Sequence, residues 1–361
     1  MTSQFAYRYL SIAPEQTTAT GARSYGTASA MTASGVIFGE IDDESIQYRF
    51  DLMTRGDMSR YGAAKSVNGK EYSEGGINFV AQPDDLLGLC LYGIYGDETA
   101  TPGTNQAGYN ITGFTHTLNE HEDNVLPSFT LEIGREEKEH TYTGMCINRL
   151  GISAAHGEYV TMSIDFTGKS ESALSTLQTN ITYDGASADG FHFADGTVTF
   201  SPDGSGTSSS TKIKSVSVDF NMNLDTDAAC SIGNRTYIRQ PEPQMREVTG
   251  TVEFSTSQSA AVSNEPSYND LLTTGGLEFD GSGTNPAIKL LFSNGTQSYQ
   301  LNIQKVRWEA PTSNVSGRDT ETLSLNFVAL VDVTDNIMTK SILTLDANTS
   351  SLSTGVAYSI A

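Results

Sequence analysis

Alternation of apolar and polar residues with a period of two recurs along this chain. Ile46, Tyr48, Phe50 and Leu52 alternate with Gln47, Arg49 and Asp51, so an extended segment carries one apolar and one polar face, the pattern of a half-buried strand. The pattern returns at Val216, Val218, Phe220, Met222 and Leu224, against Ser217, Asp219, Asn221 and Asn223.

The recurrence extends to a repeat. In each half a long polar loop leads to a second strand, marked by Gly76, Ile77 and Phe79 and by Gly250, Val252 and Phe254. Asp85-Leu86-Leu87 and Asp270-Leu271-Leu272 each follow a proline, Pro83 and Pro266, and are expected to open short helices. Phe129, Leu131 and Ile133 match Ile288, Leu290 and Phe292. Ile147, Leu150 and Ile152 match Ile303, Val306 and Trp308, and Met162, Ile164 and Phe166 match Leu323, Leu325 and Phe327. The shared order predicts a mainly β chain with a duplicated domain. The expected division is an N-terminal arm at 1–40, a first domain at 41–169, a Gly/Ser/Thr/Asp-rich linker or insertion at 170–210, a second domain at 211–335 and a C-terminal arm at 336–361. One hairpin is expected inside the linker, around Phe191, Phe193, Val198 and Phe200.

Charge narrows the function. Among 361 residues, 43 Asp and Glu stand against 21 Lys and Arg, a formal net charge of −22. Such a chain repels nucleic acid on average, which argues against a sequence reader of DNA. A surface past which DNA slides without sticking fits the charge, and so does plain solubility. Cys90, Cys146 and Cys230 are widely spaced and odd in number, so buried free thiols are expected rather than a disulfide framework or zinc site. The N-terminal residues form no apolar signal segment, and the most apolar run, 86–95, is far shorter than the roughly 20 residues of a membrane helix. A soluble protein made inside a cell is expected.

No catalytic constellation emerges. His116 and His121 flank a polar stretch, but their spacing does not put two rings on one helical face, so a polar loop is preferred to a zinc site. The loop 184–190 carries Asp184 and Asp189 without the EF-hand pattern, and a plain turn is preferred to calcium binding. No nucleophile is paired with a base. No enzyme activity, cofactor or metal is therefore expected. Two loops stand out instead. Residues 54–74 contain Arg55, Arg60, Lys65 and Lys70, and residues 225–247 contain Arg235, Arg239 and Arg246. Acids within the same loops balance these cations, so the negative charge lies elsewhere. Basic loop centres on an acidic body suggest docking onto an acidic neighbour.

Residues 127–169, PSFTLEIGREEKEHTYTGMCINRLGISAAHGEYVTMSIDFTGK, resemble the tail tube proteins of long-tailed phages, and Arg23-Ser24-Tyr25-Gly26-Thr27 resembles the start of such proteins. The second half joins the resemblance through the internal repeat. The resemblance implies two tandem tail-tube-type β-sandwich domains, each with a short helix and long hairpins that join a ring-wide β-barrel around a DNA channel. It also implies a loop reaching the adjacent ring, arms that lock rings, and trimers of pseudo-sixfold shape for duplicated members. Partners would be further copies of the chain, the tape measure, tail terminator and distal tail proteins, and viral DNA bound without sequence specificity. The place would be the virion tail, assembled in the host cytoplasm. Gln47, Arg49, Asp51, Ser217, Asp219, Asn221 and Asn223 are then expected to face the lumen, with Glu253, Asp165 and Asn326 beside them and Asp51 offsetting Arg49. Arg55, Arg60, Lys65, Lys70, Arg235, Arg239 and Arg246 are expected to contact the next ring. The insertion at 170–210 departs from the family pattern. A β-rich capsid decoration or adhesion protein is the competing class, which would explain the Thr/Ser/Gly composition but not the repeated hairpins.

Overall fold

A computed structural model of the chain describes residues 9–15, 25–28, 37–56, 58–59, 61–63, 65–102, 106–107, 110–111, 114–120, 126–178, 181, 189–210, 212–255, 266, 278–282, 284–295, 297–309, 312–314, 322–332 and 336–345. The alternating segments lie side by side in one antiparallel sheet. Its central run is Gln47–Arg55, Lys65–Val80, Thr161–Gly168, the C-terminal half of Lys138–Ala155, Ile213–Asn221, Glu247–Phe254, Thr322–Leu330 and Lys305–Trp308. The two halves of the chain thus share a sheet, joined where Ile152 lies opposite Val218. The fold is mainly β and sandwich-like, and the sheet does not close on itself.

Facing layers complete the sandwich. Phe129–Arg135 pairs with the N-terminal half of Lys138–Ala155, which therefore runs through both layers. A seven-stranded sheet is ordered Ser208–Ser210, Gly196–Phe200, Ile288–Ser293, Ser298–Ile303, Thr339–Leu345, Phe114–Glu120 and Gly96–Pro102. The helix Asp85–Tyr95 is buried along its whole length. The Asp84 carboxylate caps it, accepting from the Leu87 amide at 2.9 Å, and Gly96 ends it at φ +80°, where a side chain would be strained. The second expected helix, at 270–272, lies outside the described residues.

The passage from one layer to the other has the same form in both halves. The ladder slips between Ile147 and Arg149, and the corresponding strand breaks at Gln304, between Ser298–Ile303 and Lys305–Trp308. Other registers agree too: Ile77 faces Ile164 as Val252 faces Leu325.

The ends and the linker differ from expectation. Tyr9–Pro14 is a strand of the body, with Ile12 opposite Leu131 and Pro14 opposite Phe129. Within the expected linker, Gly196–Phe200 takes the matching position, with Val198 opposite Leu290 and Phe200 opposite Ile288. Thr339–Leu345, expected as part of an arm, pairs with Ser298–Ile303, just as Ser170–Glu171 and Ser175–Thr176 line Lys138–Ala155. The physical reason is the same each time. Without these segments the facing layers would leave rows of backbone N–H and C=O groups unpaired. Of the predicted thiols, Cys90 and Cys146 are buried, and Cys230 is half-buried.

The first strand also departs from the half-buried pattern. Ile46 is buried, but Tyr48, Phe50 and Leu52 are 37%, 50% and 60% exposed. They lie on the core side of the sheet, Tyr48 opposite the buried Ser73. The hairpin runs past the end of the sandwich, and among the described residues no strand covers its outer edge.

Candidate functional site

One face of the shared sheet gathers most of the expected lumen residues. Register fixes this, because directly opposed residues of antiparallel strands point the same way. Gln47 stands opposite Glu74, Asp165 opposite Arg149, Ser217 opposite Ser153, Asp219 opposite Gly151 and Asn326 opposite Thr251. Asn221 also faces Arg149 across the ladder, and Glu253 faces Ser215 and accepts its hydroxyl at 3.2 Å. The centre of this face is a groove of about 750 Å³ lined by Arg149, Ser153, Ser163, Asp219, Thr251 and Asn326 among others.

The cations on this face are held by carboxylates. Arg149 Nε donates to both Asp219 oxygens, at 2.7 and 2.9 Å, and its Nη2 contacts Asp219 as well. That carboxylate, hydrogen-bonded and close in charge, raises the guanidinium above its ordinary pKa. Arg49 lies 3.0 Å from Glu74, so Glu74 and not Asp51 offsets it. Both pairs are solvent-exposed, so each contributes about 1 kcal/mol or less to folding, and what they set is the charge the face presents. Thr251 donates to Asn326 Oδ1 at 2.9 Å, and Asn326 donates to Glu309 at 3.4 Å. The face offers hydroxyls, amides and carboxylates, with little free positive charge.

Two expected residues sit apart from it. Asp51 is exposed at a bulge in the projecting hairpin, where the register slips between Phe50 and Leu52. Asn223 lies beyond the end of its strand at φ +48°, donating from Nδ2 to the Met245 carbonyl at 2.9 Å. Arg149 was missed by sequence reading. Its signal was the three-residue step from Ile147 to Leu150, where strict alternation demands two. The extra residue marks the bulge and turns Arg149 onto the polar face.

The two basic loops diverge. Arg55 and Lys65 are exposed at the first hairpin's far end, and Arg60 lies outside the described residues. The loop at 225–247 instead folds back onto that hairpin's base. Arg235 reaches Glu71 at 3.5 Å, and its carbonyl accepts the Glu71 amide at 2.9 Å. Lys70 is 3.7 Å from Asp227 and lies over the Tyr237 ring at 5.0 Å, while Arg239 pairs with Glu242 at 3.2 Å. Arg246 is no loop-tip residue: its side chain is 5% exposed, 3.2 Å from Glu120, and donates to the Ile94 carbonyl at 3.0 Å. Glu120 also accepts from the Thr339 amide at 3.1 Å and its hydroxyl at 2.8 Å, so this ion pair ties both halves and the C-terminal strand together. Of the two weighed metal loops, 182–188 and 121–125 lie outside the described residues.

Stacked β-layers and a polar face shared between two halves define a structural β-sheet protein. The phage tail tube protein family matches residues 8–329, most of the chain, and the chain belongs to that family. It is accordingly a structural component of the virion tail that assembles with copies of itself into a tube. No curated protein matches the chain.

Proposed function

We propose that three copies close into a ring of pseudo-sixfold symmetry, and that stacked rings form a tube whose lumen is the polar sheet face and through which viral DNA is ejected. The joint between Arg149–Ala155 and Ile213–Asn221 carries this reading. It joins one half-sheet to the next within the chain, and repeating that joint between chains turns an open sheet into a barrel. Each chain supplies two half-sheets, so three chains supply a six-part ring. The structural repeat unit is wider than the sequence division: roughly 9–176 and 196–345, with the supposed arms and linker contributing strands.

Phosphates held by Lys or Arg add salt-sensitive attraction, and a conducting surface must keep such contacts few. Carboxylates that neutralise Arg49 and Arg149 serve that end. The exposed end of the first hairpin, with Arg55 and Lys65 and with Arg60 between them in the sequence, reaches the next ring. The tape measure, tail terminator and distal tail proteins are the further partners, and assembly takes place in the host cytoplasm. Native mass spectrometry of isolated rings tests the symmetry: three chains are expected, and a stable hexamer of this chain would overturn it. Asp219→Lys in an assembling virus tests the lumen, because it adds a cation and strips Arg149 of its partner. Normal tubes with slowed ejection are expected; unchanged ejection from intact tails would remove this face from the channel.

A further inference from the structure

The two ends of the shared sheet are unlike. Gln47–Arg55 is exposed at all nine positions. At the other end, Lys305–Trp308 is covered by the three-residue strand Glu278–Asp280, with Glu278 opposite Arg307, Phe279 opposite Val306 and Asp280 opposite Lys305. Lys305 lies 2.7 Å from Glu278 and 3.3 Å from Asp280, and Arg307 is 3.9 Å from Glu278. Phe279 is 1% exposed and stands edge-on to Trp308, with ring centres 5.8 Å apart. In the first half, the matching edge at Arg149–Ala155 is covered quite differently, by seven paired residues of Ile213–Asn221.

We propose that Glu278–Asp280 is a displaceable guard: it covers the growth edge in the free chain and yields it to Gln47–Arg55 of a second copy. The inference rests on the ring reading above and adds a step to it. An uncovered edge at both ends would let chains pair in solution without limit, and a short charged cover on one of them is a known form of protection. The guard is also cheap to remove. Its ladder is three residues long, and its ion pairs are partly exposed, with Glu278 at 39% and Asp280 at 59% side-chain accessibility, so they hold weakly. The incoming strand has nine residues, so it can pair along the whole of Lys305–Trp308, one residue more than the guard reaches. It also brings Tyr48 and Phe50 on the core side, so an aromatic ring replaces Phe279 beside Trp308 and no apolar seat is left empty. The exchange is a strand addition between copies, with backbone hydrogen bonds replaced in kind.

A reversible staple tests it. Glu278→Cys with Arg307→Cys puts two thiols on directly opposed residues, in a Cys230→Ser background so that the half-buried native thiol does not compete. The reduced chain, which lacks the Glu278 ion pairs, should assemble at least as readily as the unmodified protein. Oxidation, verified by mass of the intact chain, should cut the yield of rings and tubes at least tenfold, and reduction should restore it. A stapled chain that assembles at the unstapled rate overturns the guard while leaving the ring reading standing. As a second arm, Glu278→Ser with Asp280→Ser should lower the onset concentration for assembly several-fold at unchanged monomer melting temperature. An unchanged or higher onset counts against the guard whether or not the staple forms. An unmodified chain that forms no ring or tube in any condition overturns the ring reading and this inference with it.

Discussion

The first hairpin, Gln47–Arg55 with Lys65–Val80, and the second, Ile213–Asn221 with Glu247–Phe254, carry the same alternating pattern and end in different surroundings. In the second, Val216, Val218, Phe220 and Met222 are buried, whereas in the first Tyr48, Phe50 and Leu52 are exposed. The difference lies in what stands beside each strand. Ile213–Asn221 has the first half's strand on one side and its own partner on the other, whereas Gln47–Arg55 is paired on one side only. The loops differ in the same sense, one folded against its own chain and one left projecting. An apolar stripe in sequence therefore announces a neighbour without saying whether that neighbour belongs to the same chain.

The comparison can be broken most easily at its aromatics. Phe220→Ala should destabilise the isolated chain by about 3–5 kcal/mol, since it empties a packed core position. Phe50→Ala should cost under about 0.5 kcal/mol, as for an ordinary surface change, and show its effect only in assembly. Denaturant midpoints of the two variants measure this, and similar losses would refute the contrast. Next in size, Arg246→Ala should cost about 3 kcal/mol by leaving the half-buried Glu120 without its cation. Arg55→Ala on the projecting hairpin should be silent in the same melting experiment.

A pH series sharpens the contrast between halves. Burial, and then the nearby Glu139 charge, push the Glu132 carboxyl up to about 7 from its ordinary 4.5. Leu291 stands at the matching place in the second half, by the pairing of Leu131 and Leu290 with Ile12 and Val198. The folded state thus holds a proton that the unfolded chain releases between those two values. The resulting stability is complete below about pH 4.5 and is lost as the pH rises through about 7. Melting temperatures between pH 5 and 8 should show that loss, and Glu132→Gln should reduce it, leaving the share of Asp84, which burial also pushes up to about 7. The smallest effect is expected at the folded-back loop: a double-mutant cycle on Arg235 and Glu71 should return less than about 1 kcal/mol, the usual worth of an exposed pair.

Local pattern made many of the strands and their repeat readable. The three-residue steps at Ile147–Leu150 and Ile303–Val306 carried the bulge and break but were read only as part of the repeat, and Pro83 ahead of Asp85 marked the helix start. Pairing over long distances left no such trace. Tyr9–Pro14 and Thr339–Leu345 look like strands in isolation, yet nothing near them says that their partners are Phe129–Arg135 and Ser298–Ile303. Arg246 looked like a loop cation because its partner, Glu120, lies far back in the chain. Carboxylate partners were legible only in part: Asp219 was singled out, but its pairing with Arg149 depends on a strand seventy positions earlier.

The C-terminal strand also sets a clock on synthesis. Thr339 and Glu120 meet although 219 residues separate them, and Thr339–Leu345 fills the gap between Ser298–Ile303 and Phe114–Glu120. A chain emerging from the ribosome at about 5–20 residues per second cannot close that gap until Thr339–Leu345 has been made and released. Until then Phe114–Glu120 lacks its partner on that side and the two halves lack their outer-layer tie. Such late closure of distant segments is slow and leaves the nascent chain open to wrong partners. Thr339–Leu345 thus finishes the outer layer, so a chain cut before it stays incomplete there however well its first half has folded.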